Sequence, residues 1–206
     1  MNKSITVSAP GKLMLMGEHA VVYNRPCLVT AVSQRMRATV TFIKDNKFQL
    51  EAPDVQVSGY KKPMTDLGKG GIPKGAKFTE LAVKNFCVKY SFKQGVIIET
   101  SSEFSSKLGF GSSSASTVCV IKALSELTGN KLNNKEIFEL AYKTVLDIQG
   151  KGSGFDVAAT IYGGTLYFMN GGKIIKPLDV GELPLIVGYS GVKADTVTLM
   201  NQVAEL

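Results

Sequence analysis

The sequence contains one histidine and three cysteines, and no two cysteines stand close enough to form a CxxC pair. That poverty argues against a zinc site. Cys27, Cys87 and Cys119 are odd in number, far apart and set among apolar neighbours. They read as buried free thiols of a reducing compartment, the cytoplasm, and not as a disulfide framework. No apolar run approaches the ~20 residues of a membrane span. The start, MNKSITVSAPGK, lacks the apolar core of a signal peptide. Blocks of like charge are missing as well. The net charge of +7 comes from basic residues such as Lys44, Lys47, Lys61, Lys62, Lys69, Lys74 and Lys77, scattered and without interleaved aromatics. This pattern speaks against nucleic acid and leaves an anionic small substrate as a reading of the charge.

What is present suits a folded core. Hydrophobic residues make up 44% and charged residues 20% of 206, enough for one large domain or one domain plus part of another. Residues 4–8 and 12–16 read as short strands around the turn APG, followed by strands at Cys27–Val32 and 35–43. FQLEA and VQVSGY form a candidate hairpin. Residues 75–91 carry helical spacing, and 95–104 return to strand. A helix from about Ser113 to Leu127 stops at Gly129, and Asn133 or Asn134 can cap the next, with Glu136 in its first turn. TLYFMNG and LPLIVGYSG read as strands, and a last helix starts near Ala194. The order predicts an α+β layer fold with helices on one face of a mixed sheet. A domain covers 1–180, and 181–206 reads as the beginning of a second. Val187, Val197, Leu199, Met200 and Val203 would then stand exposed unless they pack on the first domain or on another chain, which leaves room for a homodimer.

Three segments combine polar residues with tight turns. GFGSSSAS places Gly109, Phe110, Gly111, Ser112, Ser113 and Ser114 at the entrance of a helix. Free backbone N–H groups at the positive end of a helix dipole make an anion site, and glycine lets the backbone approach a phosphate. The lysine of a Walker loop is missing, as is the third glycine of a dinucleotide fingerprint. An ordinary capped helix is the plain alternative. In SAPGKLMLMGEHAVV, Lys12, Glu18 and His19 are polar residues set among apolar ones; the alternatives are a solvated turn lysine and a structural histidine. In QGKGSGFDVAA, Asp156 follows three alternating glycines; alone it would read as a turn or capping aspartate.

Together, APGKLMLMGEHAVV, GFGSSSAS and GSGFDVAATIYGG resemble the GHMP kinase superfamily, and the first motif is most similar to its mevalonate kinase branch. The resemblance implies an N-terminal domain of the ribosomal protein S5 domain 2-like fold, with a ferredoxin-like second domain mostly missing. It also implies ATP and Mg²⁺ as cofactors and a soluble small-molecule acceptor, mevalonate or a related hydroxy acid, in isoprenoid precursor synthesis. By the same resemblance, residues 109–114 hold the ATP phosphates and Ser113 ligates Mg²⁺. Asp156 is catalytic beside Lys12, and Lys12, Glu18, His19 and Asp156 line the acceptor pocket.

There are departures. Phe110 replaces a leucine, Ser105 and Ser106 stand where a Pro-Pro pair is common, and Gly152 stands where a proline is usual. The position of a second, glutamate ligand to Mg²⁺ falls on Val145. Asp147 lies two residues further along that helix, about 200° around it, and would face away. Rival readings are phosphomevalonate kinase, another GHMP kinase, or a non-catalytic nucleotide-binding fragment or sensor.

Overall fold

The computed structural model describes residues 3–191 and Gln202. Its first two strands, β1 (Ser4–Met16) and β2 (Cys27–Ile43), pair antiparallel along most of their length. Each was expected as two shorter strands. The APG segment is a register shift between Pro10 and Lys12 instead of a turn. Proline lacks an N–H and is tolerated here because, among the described residues, β1 pairs only with β2. Gly11 is required by close approach, since a Cβ there would lie 3.0 Å from both the Phe110 carbonyl oxygen and Val32.

The hairpin β3 (Lys47–Ala52) and β4 (Val57–Pro63) leads through helix α1 (Lys77–Tyr90) to β5 (Gly95–Ser102). Helices α2 (Ser112–Thr128), α3 (Asn134–Gln149) and α4 (Phe155–Tyr162) follow. The antiparallel pair β6 (Thr165–Met169) and β7 (Ile174–Leu178) comes next. The sheet runs β4-β3-β5-β2-β6-β7, with β1 on β2; β3 and β5 are parallel and the other pairs antiparallel. β2 is the spine: its C-terminal half pairs with β5 and its N-terminal end with β6.

The period-two pattern of β2 sorts its side chains. Met36, Ala38 and Val40 are buried, as are Phe48, Leu50 and Ile98 on neighbouring strands. Between them, Thr39 meets Thr6 and Thr41 meets Ser4 through exposed hydroxyl pairs at 2.8 and 2.9 Å. The apolar face is covered by the helices, with Val118, Ile121 and Leu124 of α2 fully buried. At the start of α3 it is Asn133 that caps: its side chain accepts from the Glu136 N–H, and Glu136 accepts from the Asn133 N–H, a reciprocal capping box.

Fully buried Glu80 on α1 accepts from Tyr60 Oη at 2.7 Å, Lys62 Nζ at 2.8 Å and the Gly68 N–H at 2.7 Å. These bonds tie β4 and the following loop to α1.

Two expectations at the C-terminal end differ. β7 was not foreseen; Pro177 disguises it, and the strand tolerates a proline because, among the described residues, it pairs only with β6. The strand expected at Leu185–Gly188 does not form: residues 179–190 have no helix or strand, since no neighbouring strand among the described residues offers a ladder. Ile186 is fully exposed there, and Val187 is about half exposed, as expected for it. The helix expected near Ala194, with Val197, Leu199, Met200 and Val203, lies outside the described residues.

Candidate active site

Gly109 and Gly111 both take left-handed backbone angles, φ 77° and 75°, which bend the chain sharply into α2. Gly111 is the N-cap of that helix, and no side chain caps it. The N–H groups of the first turn, Ser112 to Ser114, therefore face the loop. Ser112 and Ser113 are half-buried and Ser114 is buried. The loop docks on β1, where the Lys12 N–H donates to the Phe110 carbonyl at 2.9 Å. The Lys12 stem then runs along Gly111; a Cβ at Gly111 would lie 3.0 Å from Lys12 Cγ.

Asp156 arrives from the other end of the fold. Gly154, at φ 88°, is the uncapped N-cap of α4, and a Cβ there would meet the Tyr142 ring at 2.9 Å. That packing, with the Tyr142 hydroxyl donating to the Gly152 carbonyl at 2.7 Å, fixes where α4 begins. Asp156 in its first turn meets Lys12, with Nζ 2.8 Å from Oδ1. The contact is an ion pair without an aligned hydrogen bond to Oδ1. The Lys12 ammonium also lies 5.1 Å from the centre of the Phe155 ring. Beneath, the buried Cys27 thiol is pushed up to about 11, first by burial and then by the Asp156 charge.

The structure thus brings Lys12, Asp156 and residues 109–114 together. Glu18 and His19 occupy the turn after β1. Glu18 is exposed; His19 is half-buried and precedes a short 3₁₀ turn at Ala20–Tyr23. Among the described residues, Nδ1 of His19 is buried with no hydrogen-bond partner. Phe155 and Gly11 escaped the sequence reading, because their partners lie far away in the chain; an aromatic residue directly before Asp156 was the visible signal.

Among the described residues no group of three or more His, Cys, Asp and Glu side chains could hold a metal ion. Val145 is buried. Asp147 is engaged elsewhere, accepting from Asn85 at 2.9 Å and Lys143 at 2.6 Å. Burial opposes its charge, but those hydrogen bonds outweigh it and hold the carboxyl below its usual range. Cavities of about 410 Å³ beside Tyr60 and Pro73, and about 240 Å³ beside Tyr142 and Lys151, include neither Lys12 nor Asp156. The Lys12 side chain is 14% exposed and that of Asp156 37%.

Residues 77–164, from α1 to the turn before β6, match the family of GHMP kinase N-terminal domains. Over that stretch the chain is similar to GHMP kinase N-terminal domains. It is 32% identical to the mevalonate kinase of Pyrococcus horikoshii over 211 residues, covering 98% of this chain and 62% of that protein. To the mevalonate kinase of Thermococcus sibiricus it is 31% identical over 207 residues, covering 97% of this chain and 61% of that protein. The chain therefore spans about 61–62% of the length of these curated relatives. The crystal structure of Methanococcus jannaschii mevalonate kinase superposes with a TM-score of 0.82 at 24% identity, over 99% of this chain and 67% of that one. The α+β expectation, with helices on one face of a mixed sheet, agrees with this GHMP kinase fold.

Proposed function

We propose that the chain is the phosphate-binding and catalytic part of a kinase that moves the γ-phosphoryl group of ATP to the hydroxyl of mevalonate, a step of isoprenoid precursor synthesis. The observation that carries this reading is the Lys12–Asp156 ion pair abutting the uncapped start of α2. Mevalonate as the acceptor is supported by the names of the curated relatives. The three free thiols support a reducing, cytoplasmic setting.

Residues 109–114 cradle the ATP phosphates: Gly109 and Gly111 admit them, and the N–H groups of Ser112 to Ser114 donate to their oxygens. Gly109 suits this role because even a Cβ there would find open space. Asp156 orients the acceptor hydroxyl and takes its proton. Lys12 reaches both sides, pairing with Asp156 and stabilising charge on the group in transfer. Glu18 and His19 line the acceptor site; Nδ1 of His19 is buried and has no hydrogen-bond partner among the described residues. Mg²⁺ bound with the nucleotide would neutralise charge between the β- and γ-phosphates. The Ser113 hydroxyl is the group of this chain that would hold it. A single protein hydroxyl fits Mg²⁺, which keeps most of its shell as water and phosphate oxygens.

A substrate panel tests the reading. ATP with mevalonate should give a phosphate ester and ADP, while phosphomevalonate, galactose and homoserine should not. Transfer to one of those three and not to mevalonate would assign the chain to another branch. ATP binding without transfer to any hydroxyl would make it a nucleotide sensor.

A further inference from the structure

Lys12 is enclosed by three different surfaces. Its stem lies against Gly111, where a Cβ would come within 3.0 Å of Cγ and 3.2 Å of Cε. Its ammonium is 2.8 Å from Asp156 Oδ1 and 5.1 Å from the Phe155 ring centre. Phe155 and Asp156 are consecutive at the start of α4, so the Gly154 turn that aims the carboxylate also aims the ring. Phe155 is half-buried and packs against the core, which holds the ring in place as a wall.

We propose that Phe155 is a positioning residue for the transfer assigned above, on which this inference rests: its ring face holds the Lys12 ammonium between the phosphate loop and Asp156. A lysine ammonium is a point charge on a flexible four-carbon stem and needs walls to stay in place. A second carboxylate at this position would hold it but would also repel the nucleotide phosphates. An aromatic face attracts a cation through its quadrupole and adds no net charge. Lys12 therefore keeps its place when Asp156 turns to the acceptor hydroxyl, and its N–H donors stay available to carboxylate and phosphate oxygens. Misplacing a group at such a centre by about 1 Å costs roughly 100-fold; losing one wall of three costs less.

The test compares Phe155→Leu and Phe155→Tyr with the unsubstituted protein. Proton NMR of the Lys12 ε-methylene, identified by its loss in Lys12→Met, reads the geometry directly, because a ring face shifts protons above it upfield. The shift should be present in the unsubstituted protein and in Phe155→Tyr, and absent in Phe155→Leu. In Phe155→Leu kcat should fall about 2- to 30-fold, the span of a cation–π contact, with KM for ATP within roughly twofold. Phe155→Tyr should restore kcat. If Phe155→Leu fails to fold, Phe155→Met replaces it with the same outcomes. Unchanged kcat in the Leu variant, or a Tyr variant that falls as far as Leu, overturns the role. Transfer by the unsubstituted protein without a ring shift overturns the positioning role alone. A ring shift without transfer to any acceptor overturns the kinase reading, and the role with it.

Discussion

Lys12 and Asp156 meet at 2.8 Å although one belongs to β1 and the other to α4. Two uncapped helix starts, each bent by a left-handed glycine, bring this about: Gly111 lets the Lys12 stem pass and Gly154 sets the direction of Asp156. The ion pair is thus a product of backbone turns and of the fold that closes around β1.

Replacing Gly111 with valine should remove ATP binding. The new side chain would press on Lys12 and stand in the phosphate cradle, at a φ of 75° that a β-branched residue adopts only under strain. That strain costs about 1–3 kcal/mol of stability, so the fold should survive. Calorimetry with ATP and a thermal melt check both halves. Unchanged affinity would reduce the loop to an ordinary helix cap.

How far the sequence carries is visible in these same residues. The start and stop of α2 and the start of α3 were legible because caps are local: Gly129 and the Asn133–Glu136 spacing act within one turn. The α+β order was also legible, as was the candidate grouping of Lys12, Asp156 and residues 109–114, because these residues lie in short, unusual stretches. What was not legible depends on distant partners. Proline and glycine at positions 10 and 11 suggest a turn; the pairing of β1 with β2 and the docking of the Phe110 carbonyl on Lys12, both distant in sequence, let the strand run on. The alternation at 185–188 suits a strand, yet spacing cannot say whether another strand stands beside it. The sequence does not single out Glu80, because its partners Tyr60 and Lys62 come from another element.

Glu80→Ala should destabilise the fold severely. It would leave the Lys62 ammonium, which is only 14% exposed, the Tyr60 hydroxyl and the Gly68 N–H without their acceptor. Breaking a buried pair from one side costs about 3–5 kcal/mol. Unfolding in urea should show that loss, and the melting point should drop on the order of 10 °C. A change below about 1 kcal/mol would mean that water replaces the network without cost.

The thiols should respond to alkali. Burial pushes Cys27 and Cys87 up to about 11 and Cys119 to about 12, from an ordinary 9.0, with the Asp156 charge adding to the effect at Cys27. Below pH 9 folded and unfolded chains both keep these thiols protonated. From pH 9 to about 11 the unfolded chain ionises first, so stability should fall across that window. Native protein at pH 8 should react slowly with iodoacetamide and quickly once unfolded. Rapid labelling of all three in the native state would contradict this burial.

Backbone amides of residues 180–190 should exchange with solvent far faster than those of β2 and α2. No helix or strand forms there, and Leu183, Leu185, Ile186, Val187 and Tyr189 are exposed. Hydrogen exchange read by mass spectrometry checks it. Protection of this stretch equal to that of β7 would show that it is docked, on this chain or on a second copy, and light scattering would tell which.

The most direct test is a single-turnover experiment with protein in excess over γ-labelled ATP and with mevalonate present. Slow chemistry is visible in this format, and transfer is read as labelled phosphate ester. The unsubstituted protein should form the ester. Asp156→Ala should be slowed by about 10²- to 10⁴-fold, the range for a positioned acid–base group, while binding ATP with little change. Lys12→Met should lose a comparable factor, and the double variant little more than either alone, because the two act as one unit. Transfer by Asp156→Ala at the unsubstituted rate would contradict the account.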